Sequence, residues 1–219
     1  MSPILIRSLP FGLYIAFLAL ESGLTGWVHG VDVRGLYPVK TLVVTLALLF
    51  LWRRFDELKA YRLSLANVLL AVTTGVAVFV LWINLDSGWM TIGESGAGYR
   101  ALNADGSLDW VLITFRLAGA AIIVPIMEEL FWRSFIQRWI KQPDFTQLDP
   151  ARVGVRALLV TSALFAVEHH QWFAGLIAGL AYGGLYIYSR NLWVPIIAHA
   201  VTNGALGLYV IESRRWQFW

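Results

Sequence analysis

The stretch IMEELFWRSFIQRW, residues 126–139, sets two adjacent carboxylates, Glu128 and Glu129, and a cation, Arg133, inside an apolar run. Its reading turns on whether the surroundings are lipid. On both sides the chain continues in mostly apolar runs at 9–24, 36–52, 64–85, 110–140, 153–169, 171–189 and 191–211. Runs of about 20 such residues cross the ~30 Å hydrocarbon layer as helices. Of the 219 residues, 58% are hydrophobic and 14% charged, and the mean hydropathy is +0.64. A soluble domain carries charge on about a quarter of its residues, so the deficit argues for lipid as solvent. The alternating ten-residue segments of a membrane β-barrel are absent from the sequence. The fold class expected is all-α: a polytopic transmembrane helical bundle of about seven spans, forming a single integral membrane domain over 1–219.

Charge fixes the expected topology. The net charge of +3 and pI near 9.3 do not indicate a nucleic-acid partner, because the basic residues cluster beside apolar runs. RRFDELKAYR (53–62) carries four cations and reads as cytoplasmic. Segment 86–109 has four acids, one Arg and several glycines, and belongs on the other side. The loop 141–156, flanked by Arg138 and Arg156, reads as cytoplasmic again, which puts the N-terminus inside. The tail ESRRWQFW strains this scheme, since seven spans would leave Arg214 and Arg215 outside. The first apolar run has no small-residue cleavage site and reads as a retained helix. Trp52, Trp110, Trp139, Trp172, Trp193 and Trp216 fall at span ends, where an interfacial belt accounts for them. Gly175, Gly179 and Gly183 recur every four residues along one face, as close helix packing requires.

The ionisable groups of the last three apolar runs share one depth. Glu128 lies ten residues before Arg138, and His169 thirteen after Arg156. His199 and Asn203 follow Arg190 by nine and thirteen. At ~1.5 Å per residue these counts give about 14–20 Å of depth for all four. Glu129 and Arg133 are four apart and can pair, the Arg stem reaching toward the cytoplasmic interface. Glu128 points about 100° away and is left free. Interhelical hydrogen bonding would account for an isolated pair, but not for four different polar groups in one layer.

Three motifs carry a resemblance. EELFWR (128–133) is similar to the EExxxR motif of the CPBP membrane proteases, which include the type II CAAX prenyl endopeptidases. FAVEH (165–169) resembles that family's FxxxH, and HAVTN (199–203) its HxxxN, in the family's order. The likeness covers residues 110–205, which it marks as the catalytic core. In look it is nearest to the bacterial CAAX-protease-related proteins associated with exosortase systems. Glu168 departs from the pattern, and with His169 and His170 adjacent the active imidazole is not fixed by sequence.

The resemblance implies an intramembrane endopeptidase, in a bacterial inner membrane, acting on a protein or peptide substrate, lipidated or not. Glu128 and His169 would activate a water, and His199 and Asn203 would donate to the oxyanion. Glu129 and Arg133 would support the site. It also implies a metal-free mechanism without cofactor, although Glu128, His169 and His199 are ligand types that zinc accepts. No cysteine is present, which excludes thiol catalysis, thiolate metal sites and disulfides. Ser134 and Ser162 lack a nucleophile elbow or a lysine partner. The alternative is a catalytically silent scaffold, or an immunity or transport protein of the same fold. Arg116 has no assigned partner.

Overall fold

The apolar runs wind into helices because a backbone in lipid must satisfy its own hydrogen bonds. The computed structural model describes residues 1–27, 32–60, 62–93, 96 and 98–219. Over these the chain forms seven helices, which we number α1 (Pro3–Trp27), α2 (Leu36–Leu51), α3 (Leu65–Asn84), α4 (Trp110–Lys141), α5 (Val155–Val167), α6 (Trp172–Ser189) and α7 (Trp193–Ser213). Among the described residues there is no strand, only an isolated antiparallel bridge between Leu102 and Leu108. The helical bundle expected from hydropathy is the fold observed.

The polarity of burial is that of a membrane protein. Phe50 is 82% exposed and Leu46 65%, whereas Arg133 and Glu129 are both 0% exposed. Large apolar side chains cover the outside and charges lie within, the reverse of a soluble domain. Trp110 is 63% exposed, as an interfacial belt requires, but Trp216 is 8% exposed and packs with Ala101, Ile113 and Val210. Trp216 therefore belongs to a core, not to the belt. The backbone there is close enough that Gly98, at φ +67°, admits no Cβ against the Trp216 carbonyl.

α1, α2 continued to Arg54, α3, α4 and α7 are long and apolar enough to cross a membrane by themselves. α5, at 13 residues, rises only about 20 Å. It stops where the apolar run gives way to Glu168, His169, His170 and Gln171. That turn is tied to the end of α3 and the segment after it. Gln171 Nε2 donates to the Trp82 and Leu85 carbonyls (2.7 and 3.3 Å), and the Ile92 amide donates to the His170 carbonyl (2.8 Å). The tail reaches the same side: Arg215 pairs with Asp86 at 2.8 Å, so its charge is compensated where the seven-helix count puts it.

Glycine faces set the close approaches. A Cβ on Gly175 would meet Ala166 at 3.2 Å, one on Gly179 Ser162 at 2.9 Å, and one on Gly183 Gln137 at 2.7 Å. The stripe packs α6 tightly onto α5 and α4. Gly75 does the same for α3 on α7, where a Cβ would overlap the Ala198 carbonyl and lie 2.8 Å from Val201. At one end of the bundle a polar cluster joins α1, the 52–64 connection and α4. Arg7 forks onto Glu57 at 2.7 and 2.9 Å, and Arg138 and Ser134 also donate to Glu57. The first helix thus begins six residues before the expected boundary at 9 and carries Arg7 inside it, 3% exposed.

Candidate active site

A cavity of 270 Å³ opens among the helices, and its lining includes Glu128, Glu168, His169, His199, Asn203 and Arg116. The first five come from α4, the α5–α6 turn and α7. Chain segments up to 75 residues apart thus converge on one volume.

The two adjacent glutamates are sorted by helical phase. Glu128 faces the cavity, and its Oε2 is buried without a hydrogen-bond partner. Glu129 turns away and is wholly buried. Its Oε2 lies 3.1 Å from Arg133 Nε and its Oε1 3.0 Å from His199 Nδ1. Arg133 does not reach toward an interface as its long stem suggested. Its guanidinium is enclosed, 4.5 Å from the Phe165 ring and 5.5 Å from that of Tyr182. Glu129 and Arg133 therefore sit behind the cavity wall, and only Glu128 of this trio meets the cavity.

His199 is held on three sides. Glu129 accepts from Nδ1, Tyr182 stacks on the ring at 4.9 Å and 19°, and Phe165 meets it edge-on with ring centroids 6.3 Å apart. Tyr182 is itself anchored: its hydroxyl donates to Thr202 Oγ1 at 2.7 Å, and Thr202 donates to the Gly75 carbonyl at 2.9 Å. One line of contacts thus runs from the α3–α7 close approach to the imidazole. Sequence reasoning missed Tyr182, because among eight tyrosines in an apolar, aromatic-rich chain nothing local distinguishes it.

His169 is fixed by the end of α5. Its Nδ1 lies 2.8 Å from the Phe165 carbonyl, four residues back. A carbonyl only accepts, so Nδ1 carries the proton and the neutral ring keeps a lone pair on Nε2. The ring stands edge-on to Trp82 at 5.3 Å. His170 points elsewhere, with Nδ1 2.6 Å from the Ile92 carbonyl in a separate surface recess.

Asn203 answers a backbone defect. α4 is wound as π-helix over Gly119–Ile123, where the Val124 amide bonds Gly119 O. In that register the next donor would be residue 125, which is proline and has no N–H. The Ala120 carbonyl is thereby orphaned, and Asn203 Nδ2 donates to it at 2.9 Å. This bond fixes the amide while leaving its second N–H available. A second π stretch, Leu130–Gln137, follows the glutamates.

Ser134 belongs to the Glu57 cluster, and Ser162 donates to Leu158 O beneath Gly179; neither lines the cavity. Among the described residues no three His, Asp or Glu side chains come together as a metal ligand set.

Fold and cavity together define a helical membrane protein with a partly buried Glu–His–His–Asn constellation. Residues 110–205 match the family model described as type II CAAX prenyl endopeptidase Rce1-like, a family of membrane proteases. That is the stretch over which the three motifs run. No curated protein and no solved structure matches the chain.

Proposed function

We propose that this protein is an intramembrane endopeptidase that hydrolyses a peptide bond of a membrane-associated substrate with a glutamate-activated water. The observation that carries the reading is the shared cavity of Glu128, His169, His199 and Asn203. The free carboxylate edge of Glu128 and the lone pair of His169 Nε2 are the two acceptors a water needs for its two protons. Glu128 takes one proton as the hydroxide adds to the scissile carbonyl carbon. It returns that proton to the amine nitrogen as the C–N bond breaks, so the carboxylate is regenerated.

The oxyanion would be met by the second Asn203 N–H and by His199. With Nδ1–H committed to Glu129, His199 can donate from Nε2 only as imidazolium, and Glu129 is the counter-charge for that cation. Arg133, on the other carboxylate oxygen, holds Glu129 in position. Each oxyanion donor is worth about 3 kcal/mol in other proteases. The residues need no metal and no cofactor in this scheme. The partners are the bilayer and a protein or peptide substrate. The cations of 53–62 and the acids of 86–109 support a cytoplasmic N-terminus; a bacterial inner membrane rests on the motif resemblance alone.

The test is hydrolysis by the purified chain in detergent, offered one peptide with and without a prenyl group. Glu128→Gln should fold normally and lose about 10²–10⁴-fold in rate, while a chelator should leave the wild type active. If Glu128→Gln and Glu129→Gln are both fully functional in cells, the glutamate mechanism is wrong and the scaffold reading replaces it.

A further inference from the structure

The cavity has a second pole. Arg116 lines it from α4, twelve residues before Glu128 and hence ~18 Å away along the helix. Its guanidinium lies 4.5 Å from the Tyr37 ring, 5.4 Å from Tyr99 and 5.9 Å from Trp219. Such an aromatic collar steadies a cation but offers its N–H groups no carboxylate. The Arg116 Nε is buried and donates to nothing.

Among the described residues, the carboxylates nearest this end are already engaged. Lys40, over the same Tyr37 ring at 4.9 Å, has Glu21 at 3.2 Å. Arg34 has Asp32 at 2.7 Å, and Arg215 has Asp86 at 2.8 Å. Asp109 caps the first turn of α4, accepting from the Val111 and Leu112 amides. Among the described residues Arg116 pairs with no carboxylate, and one positive charge stands uncompensated on the cavity wall.

We propose that Arg116 is an anion-binding pole that takes a carboxylate of the bound peptide. One unbalanced charge matches a monoanion, and the planar guanidinium fork matches a carboxylate. An extended chain covers ~3.3 Å per residue, so the ~18 Å along α4 puts that carboxylate within about five residues of the bond at Glu128. The C-terminus and an acidic side chain supply the same chemistry. That the ligand is a peptide rests on the peptidase reading; the need for an anion does not.

The probe is a dansyl-labelled nonapeptide of Ala, Leu and Ser, titrated by fluorescence against the full chain in detergent. The protein carries Glu128→Gln so that the peptide is not consumed. Three forms are compared: free C-terminal carboxylate, C-terminal amide, and amide with one Glu near the end. At least one acidic form should bind roughly ten- to a hundredfold tighter than the plain amide, the range for a hydrogen bond to a charged group. Which acidic form does so identifies the source of the carboxylate. Arg116→Met should abolish the preference and Arg116→Lys should keep part of it. Equal binding of all three forms with Arg116 in place overturns the proposal, a comparison that needs no variant at 116 to fold. So does a preference that survives Arg116→Met. If the wild type prefers the acid yet cleaves no peptide, the anion pole stands and the peptidase reading falls.

Discussion

Replacing Arg133 by methionine removes a buried cation while keeping most of its volume. In the wild type both partners are out of solvent, with Arg133 Nε 3.1 Å from Glu129 Oε2. Deleting one member of such a pair typically costs ~3–5 kcal/mol, because the other charge is left uncompensated. Here Glu129 keeps a second neighbour, His199 Nδ1 at 3.0 Å, which places the expected loss near the lower bound, about 3 kcal/mol. Truncation to alanine adds the packing of the stem against Phe165 and Tyr182, a further ~2 kcal/mol or more. For a chain of this length 3 kcal/mol is a fall in unfolding midpoint on the order of 6–12 °C. The assay is thermal unfolding in one detergent of wild type, Arg133→Met, Glu129→Gln and the double variant. The double variant should recover much of the loss, since neither partner is then left charged and alone. An unchanged midpoint in Arg133→Met, or a double variant that loses the sum of the singles, would refute the reasoning.

Three further outcomes are expected. Asn203→Leu leaves the Ala120 carbonyl orphaned beside Pro125, which should cost about 1–3 kcal/mol in unfolding stability. It should also slow turnover more than Asn203→Ser, which keeps a donor; equal rates for the two would remove Asn203 from the oxyanion site. Gly75→Ala forces α3 off α7 and disturbs the Thr202–Tyr182–His199 line, so midpoint and activity should fall together, by about 1–3 kcal/mol in stability. An alanine variant with wild-type unfolding would show that the approach is slack. The last concerns Glu57, outside the spans. Burial pushes its carboxyl up, but Arg7, the Ser134 hydrogen bond and Arg138 outweigh this and hold it below the ordinary value. A depressed carboxylate contributes stability that is complete above the unfolded value, about 4.3, and is lost as pH falls through the folded one. The midpoint gap between wild type and Glu57→Gln should therefore hold from pH 7 to about 5 and close below. A gap that stays constant down to pH 3 would contradict the pairing.

The sequence alone determined that the chain is a helical membrane protein, because spanning lipid is a matter of local apolar length and backbone self-satisfaction. It also determined which polar side chains share a depth, since 1.5 Å per residue converts spacing into position along a helix. Phase was legible as well: the 100° between Glu128 and Glu129 separates the one that meets the cavity from the one that does not. Only the tertiary structure decided what each residue faces once phase is set. It assigned Glu129 to His199 as well as to Arg133, enclosed Arg133, drew Trp216 into a core and brought Tyr182 onto an imidazole. It also gave the π register whose orphaned carbonyl Asn203 serves, and the aromatic collar around Arg116, whose members come from α2, the 86–109 side and the tail. These depend on contacts between residues distant in the chain. Hydropathy and spacing carry no information about which helix lies beside which, and in a bundle that adjacency is set by side-chain shape, with glycines such as Gly75 and Gly179 marking where two backbones meet.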